Sequence, residues 1–291
     1  MQDTKKTVTG QKKRRKIHFQ RQKIQRKLLT LQTERVFSVR VSIIQHDIVW
    51  GKPVENRLQL QQQIEAHPGA DLYVLTEMWP TGFATEPKGL TEHDAASLGW
   101  MKEMAHRYDA ALAGSIAVEE DGRFYNRLYF VKPDGSVEYY DKRHLFAYGG
   151  EDKHYMRGTK RVVVEWRGVR FLLVVCYDLR FPVWMRYNKD YDAIICVANW
   201  PTVRIEAWKA LLRARAIENQ CYVIGANRVG KDPSCDYCGD SAVIHPYGHA
   251  LAEGEKGKVS FVEAELNMKE LNAFRTKFPV ENEKDTFEIK I

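Results

Sequence analysis

No stretch of this 291-residue sequence approaches the ~18 consecutive apolar residues that a membrane-spanning helix needs. A secretory signal is also lacking, because the basic start of the chain is not followed by an apolar region of about 7–15 residues. Cysteine is scarce: there are five, an odd number. Without a secretory signal, we expect these thiols to stay reduced and the protein to be soluble in the cytoplasm.

Cofactor motifs are missing as well. The sequence contains no GxGxxG or phosphate-binding loop, which leaves a nucleotide cofactor unsupported. Cys235 and Cys238 have the spacing of half a zinc site, but no second pair completes the four ligands of a structural zinc. We therefore predict no cofactor and no metal. The segment Arg228–Asp240, which carries both thiols, is predicted to be an exposed loop.

The positive charge of the chain is concentrated at one end. The net charge is +7, yet residues 1–35 alone carry +10 and the remainder carries −3. Basic polar segments of this kind are usually disordered and solvated, although one can also tether a protein to RNA or an anionic surface. We predict a basic, disordered leader over residues 1–35 and one globular domain over 36–291. Nucleic-acid binding through the leader remains an alternative function.

From residue 37 onward, strands and helices alternate. Period-two or short all-apolar runs predict strands at 37–45, 71–77, 111–118, 192–199 and 221–229, among others. Helical periodicity predicts helices at 56–67, 93–108, 205–219 and near 267–274. Turns at 133–135 and 167–168 predict two antiparallel hairpins. This order favours a layered α/β domain with mixed sheets and helices outside.

Three reactive side chains follow three of these strands. Cys176 ends the apolar run 171–175, Glu77 ends the run 71–76 and Lys142 ends the run 136–141. Ligand sites in open α/β sheets lie beyond the carboxyl ends of strands, so a thiol, an acid and an amine at three strand ends can share one pocket.

The chemistry of such a trio is that of an acyl transfer. A thiol with an ordinary pKa of ~8.5 is only partly ionised at neutral pH, so its attack on a carbonyl or nitrile carbon needs a base or a cation beside it. Glu77 can accept the proton, and Lys142 can stabilise the thiolate or the oxyanion. The backbone N–H of Tyr177 is the natural second oxyanion donor. A cysteine–histidine pair with His144 or His154 is an open alternative on spacing alone.

The residues around these three positions resemble the carbon–nitrogen hydrolase, or nitrilase, superfamily. The matching blocks are Leu75–Phe83, Tyr140–Phe146 and Val175–Pro182, in the family's order of glutamate, lysine and cysteine. Val197–Pro201 and Arg213–Asn219 fit as well. The resemblance extends from about residue 38 to residue 274 and is closest to the bacterial omega-amidases.

This resemblance implies a four-layer α-β-β-α sandwich, usually paired as a homodimer or higher homo-oligomer. It also implies hydrolysis of the terminal amide of 2-oxoglutaramate or 2-oxosuccinamate to the oxo-dicarboxylate and ammonia, with Glu77, Lys142 and Cys176 as catalytic residues. The same site fits other substrates, namely deaminated glutathione, an N-carbamoyl amine or a nitrile.

Further site residues follow from the same resemblance. Glu151 matches a second family glutamate, which orients the lysine or the amide. Phe83, Tyr148 and Trp200 are candidate walls of the substrate pocket. The residue that binds a substrate carboxylate stays open, since arginine and lysine are too plentiful to choose among.

Overall fold

Two six-stranded mixed sheets form the centre of the computed structural model, which describes residues 38–88 and 96–290. In spatial order, the first sheet contains β14 (Ser260–Asn267), β1 (Ser38–Gln45), β2 (Leu72–Val74), β3 (Ala111–Glu120), β4 (Arg123–Val131) and β5 (Val137–Asp141). The second contains β13 (Ala250–Glu253), β12 (Ala242–Ile244), β9 (Tyr222–Asn227), β8 (Ala193–Ala198), β7 (Val169–Val175) and β6 (Val163–Trp166). Residues from Val39 onward form one compact unit.

Helices lie on the outer faces of these sheets. They are α1 (Pro53–Ala66), α2 (Ala96–Tyr108), α3 (Pro182–Met185), α4 (Ile205–Asn219) and α5 (Met268–Lys277). Short 3₁₀ turns span Ala147–Gly149, Glu151–Lys153, Cys176–Arg180, Thr202–Arg204 and Val280–Glu283. No helix in the described part of the chain is both long and apolar enough to cross a membrane.

Apolar packing explains the layers. Between the sheets, Phe130 of β4 lies against Phe171 of β7, with ring centroids 5.9 Å apart. On the outer face of the second sheet, α4 buries Trp208, Leu212 and Ala216. A side chain at Gly225 of β9 would have its Cβ only 2.7 Å from Leu212, so this close contact requires glycine.

Helix α2 packs in the same way on the outer face of the first sheet, where Met101 and Met104 join the cluster around Tyr73 and Leu75. The predicted four-layer α-β-β-α arrangement is confirmed. The helix predicted at 205–219 is observed with the same bounds. The predicted start of α2 at His93 and the leader over residues 1–35 lie outside the described residues and remain predictions.

The segment predicted to be an exposed loop is a ribbon instead, exposed at Lys231, Pro233, Ser234 and Asp236 but buried at Arg228, Val229 and Tyr237–Gly239. Residues Val229–Lys231 (β10) and Asp236–Cys238 (β11) pair antiparallel, and Cys238 is buried. The prediction is therefore wrong only at the buried ends, where Arg228 anchors the ribbon from inside the protein. Its guanidinium, which is fully buried, donates to the carbonyl oxygens of Ile48, Val229 and Lys231 and pairs with Asp47.

Candidate active site

The sheet topology brings the three predicted strand ends to one edge of the fold. Strands β1, β2 and β3 are parallel, as are β7, β8 and β9. Because β4 reverses direction and β5 reverses it again, β5 runs in the same direction as β2. Glu77 follows β2, Lys142 follows β5 and Cys176 follows β7, so all three lie beyond carboxyl ends.

The backbone at the thiol is held in a strained conformation. Cys176 has a φ of 46°, in the left-handed region that residues with a Cβ rarely adopt, and it begins a 3₁₀ turn directly after β7. Such strain persists only where the surrounding structure enforces it, and it is concentrated at functional sites. The sharp turn directs the thiol into the cavity instead of into the sheet.

A buried charge network surrounds Lys142. Its Nζ lies 2.9 Å from Oε1 of Glu77 and 2.9 Å from Oε2 of Glu151. Nδ2 of Asn126 donates to both carboxylates, at 2.8 Å and 3.1 Å. The three charged side chains are wholly buried, where ion pairs persist only if they are also well hydrogen-bonded. The sequence-predicted Glu77, Lys142 and Glu151 therefore occupy one network.

These contacts set the protonation states. Burial alone would lower the pKa of Lys142, but Glu151 and Glu77 outweigh it and hold that pKa well above its ordinary value. Lys142 is consequently a permanent cation. Burial, reinforced by the charge of Glu77, raises the pKa of Glu151 against the opposing effect of Lys142.

The thiol of Cys176 is neutral at rest. Burial raises its pKa well above the ordinary value, and the negative charge of Glu77 raises it further, while Lys142 opposes both. Glu77 also shares a hydrogen bond with the thiol, which likewise raises the pKa. A neutral thiol bonded to a carboxylate can become a nucleophile only by transferring its proton, and Glu77 is the adjacent acceptor.

Two asparagines that the sequence analysis did not assign to the site hold Glu77 in place. The backbone N–H of Asn199 donates to Oε2 of Glu77 at 2.8 Å, and its side-chain amide donates to the Glu77 carbonyl at 2.7 Å. Asn126 donates to the other carboxylate oxygen. Asn199 directly follows β8, and this position at a strand end could have identified it. Asn126 lies within β4 and carries no comparable signal.

Asp178 joins the cysteine turn to the lysine loop. One carboxylate oxygen accepts from the Val175 backbone N–H and from the Tyr140 hydroxyl, at 2.9 Å and 2.8 Å. The other accepts from the backbone and the ring of His144. This wholly buried carboxylate thus fixes the distance between the two strand ends. The ring of His144 is thus bonded to Asp178 and not to Cys176. This arrangement does not support a cysteine–histidine pair that uses His144.

The remaining predicted residues line a cavity of about 450 Å³ together with Cys176, Glu77 and Lys142. Phe83 faces Lys142, with 5.3 Å between its ring centroid and Nζ. Trp200 is buried, whereas Tyr148 is 88% exposed at the rim. Tyr177 lies in the first turn of the 3₁₀ helix, where backbone N–H groups have no partner within the helix. Sequence reasoning did not find other lining residues, among them Trp50, Arg180, Arg204 and Cys235.

Known proteins resemble this chain along most of its length. A model of the carbon–nitrogen hydrolase family matches residues 40–276. The chain is 44% identical to the omega-amidase YafV of Escherichia coli K12 over 252 residues, which cover 86% of this chain and 98% of that protein. It is 36% identical to a 2-oxoglutaramate amidase of Bacillus subtilis, with 82% and 95% of the two chains covered.

Solved structures agree with this similarity. A carbon–nitrogen hydrolase superfamily protein of Xanthomonas campestris, whose crystal structure contains an arsenic adduct in the active site, superposes with a TM-score of 0.84 at 39% identity. That match covers 87% of this chain and 99% of the other. Two large sheets with helices outside are thus common to both proteins.

Proposed function

Because this chain belongs to the carbon–nitrogen hydrolase family and is a hydrolase that acts on amides, we propose that it is an omega-amidase. Its substrates are 2-oxoglutaramate and 2-oxosuccinamate, whose terminal amides it converts to the 2-oxo-dicarboxylate and ammonia. The observation that carries the proposal is the position of Glu77, which contacts both the neutral thiol of Cys176 and the cationic Nζ of Lys142.

The first half of the proposed reaction forms a thioester. Glu77 removes the proton from the Cys176 thiol, and the sulfur attacks the amide carbon as the carbonyl electron pair moves onto oxygen. Lys142 and the backbone N–H of Tyr177 stabilise this oxyanion. When the oxyanion collapses, the C–N bond breaks, and Glu77 transfers its proton to the departing nitrogen. Ammonia leaves, and the acyl group stays on sulfur.

The second half releases the acid. A water molecule in place of the ammonia gives a proton to Glu77 and attacks the thioester carbon. Collapse of the second oxyanion breaks the C–S bond, and Glu77 returns the proton to sulfur. Glu151 supports both halves: it bonds Lys142, and its Oε2 accepts from the backbone of Phe146 at 2.6 Å, so it fixes the ammonium in place.

A panel of substrates tests this proposal. Ammonia release is expected to have a kcat/KM at least tenfold higher for 2-oxoglutaramate than for deaminated glutathione, an N-carbamoyl amine or a nitrile of similar length. Tenfold corresponds to ~1.4 kcal/mol of differential transition-state binding. If a nitrile were the preferred substrate, the omega-amidase assignment would be contradicted. The same site would then catalyse a different reaction of the family.

We further propose that the enzyme works in the cytoplasm as a homodimer. All five cysteines are free thiols, which is typical of a reducing compartment. The exposed Val183 of α3 and Ile217 of α4 offer apolar surface for pairing. Sedimentation equilibrium is expected to give twice the mass of one chain, and the mass of a single chain at micromolar concentration would rule the dimer out.

A further inference from the structure

Two arginines line the cavity that contains the thiol, and both are held by aromatic rings. The guanidinium of Arg180 lies 5.0 Å from the ring centroid of Trp200, and that of Arg204 lies 5.3 Å from the ring centroid of Phe146. A guanidinium that lies over a ring makes a cation–π contact and does not use its fork of N–H donors for it, so the fork stays available for a bidentate acid.

Neither arginine is paired with an acid in the part of the chain that the structure describes. Within residues 38–88 and 96–290, no carboxylate lies within salt-bridge distance of either guanidinium, whereas arginines elsewhere, such as Arg127 and Arg170, are paired with aspartates. Two unpaired cations in one cavity are therefore available to a ligand. The ligand that suits a guanidinium fork best is a carboxylate or a phosphate.

Two further acids line the cavity, the exposed Glu86 and the half-buried Asp232, and neither lies within salt-bridge distance of Arg180 or Arg204 among the described residues. The Asp232 carboxylate instead accepts from the backbone N–H groups of Ser234 and Cys235 and from the Tyr237 hydroxyl.

The charges at the catalytic end favour an anionic ligand that binds at the arginine end instead. The catalytic end holds two carboxylates, Glu77 and Glu151, against one ammonium, Lys142, and all three are buried. A substrate that carries a carboxylate would be repelled by the surplus negative charge there. Such a substrate binds favourably only if its acid end reaches a cation away from the thiol.

Of the two arginines, Arg204 is the better placed. It is half-buried, so its charge is screened less than that of the exposed Arg180. Its backbone is fixed, because its N–H donates to Pro201 and its carbonyl accepts from the Trp200 indole at 2.8 Å. Its charge also reaches the cavity wall, where it opposes the burial that raises the pKa of Cys235.

We propose that Arg204 binds the carboxylate of the substrate and thereby selects 2-oxo acid amides over neutral amides. The inference rests on the proposed omega-amidase function and names the residue that makes the site specific. The amide end then lies at Cys176 and the acid end at Arg204, so the substrate must carry its amide and its acid at opposite ends.

The test compares two substrates in matched variants. In Arg204→Met, KM for 2-oxoglutaramate is expected to rise at least tenfold, and kcat/KM should fall at least tenfold more for this substrate than for neutral pentanamide. Arg204→Lys keeps the charge but loses the planar fork, so its KM should be intermediate. Arg213→Met is the control, since it removes an equal charge from the same region of the chain at an exposed position outside the cavity.

Binding without turnover provides a second measurement. In the Cys176→Ala background, calorimetry with 2-oxoglutarate, the expected product, should show at least tenfold weaker affinity when Arg204→Met is added. Three results would each overturn the role of Arg204. They are an equal loss of kcat/KM with both substrates, an unchanged affinity for 2-oxoglutarate, and a loss selective for 2-oxoglutaramate that is seen only in Arg180→Met. If wild type releases no ammonia from 2-oxoglutaramate, the proposed function itself fails.

Discussion

Replacing Cys176 with alanine is expected to lower ammonia release from 2-oxoglutaramate by roughly 10⁴-fold or more, as loss of a nucleophile does in other covalent hydrolases. We expect no other group to take over the attack, because the proposed role of Glu77 is that of a base and the pKa of Lys142 is held well above its ordinary value. The fold should persist, because the substitution removes one sulfur atom from the wall of an open cavity. Kinetics of ammonia release and a thermal unfolding curve measure the two effects.

Mass spectrometry distinguishes the nucleophile from its neighbour. Wild type quenched during turnover should carry one acyl group on the peptide that contains Cys176, and the adduct should be lost in Cys176→Ala. The matched control is Cys235→Ala, since Cys235 lines the same cavity and is half-buried. That variant should keep both the adduct and the activity. Turnover retained in Cys176→Ala, or an adduct on Cys235, would reject the proposed mechanism.

Replacing Lys142 with methionine is expected to damage catalysis and stability together. Loss of one oxyanion donor lowers kcat by roughly 10²–10³-fold. Glu77 also loses its hydrogen bond from Lys142, which lowers kcat further. The change also leaves Glu77 and Glu151 as buried carboxylates without their cation, and breaking a buried pair costs about 3–5 kcal/mol of unfolding free energy. Urea unfolding measures the second effect.

The loss of unfolding free energy in Lys142→Met depends on pH, and the direction of that dependence can be derived. Lys142 opposes the rise in the pKa of Glu151, so its removal raises that pKa further. An acid whose folded pKa exceeds its unfolded pKa binds more protons in the folded state. The variant therefore loses stability as the pH rises from the unfolded pKa of Glu151 to its folded pKa. The difference in unfolding free energy between wild type and the variant should shrink as the pH falls toward about 4, the ordinary pKa of a glutamate side chain.

A double variant separates charge from catalysis. Lys142→Met combined with Glu151→Gln removes one uncompensated carboxylate and should recover part of the lost stability without recovering activity. A single Lys142→Met variant as stable as wild type would show that the network is not under electrostatic strain. Wild-type turnover in either variant would exclude Lys142 from the reaction.

Local sequence patterns predicted the helices and strands well where one face or both faces of the element are buried. The helix at 205–219 has both predicted ends, because its buried stripe recurs with helical spacing around Trp208 and Leu212. Prediction failed in part at Arg228–Asp240, where glycine, proline and serine indicated an exposed loop but the two ends of the segment are buried. There the buried guanidinium of Arg228 bonds backbone carbonyls as distant as Ile48, a contact without local periodicity.

The sequence by itself was enough to predict the fold class and to single out Glu77, Lys142 and Cys176 as candidate site residues, because strand ends and their flanking motifs are local features of the chain. The tertiary structure alone decided how these groups are held and charged. Asn126 and Asn199 bond Glu77 across 49 and 122 residues, and Asp178 bonds Tyr140 across 38 residues. Hydrogen bonds over such separations form when the strands pair within a sheet or when the two sheets pack, and the burial that shifts each pKa arises in the same way, so no local pattern encodes them.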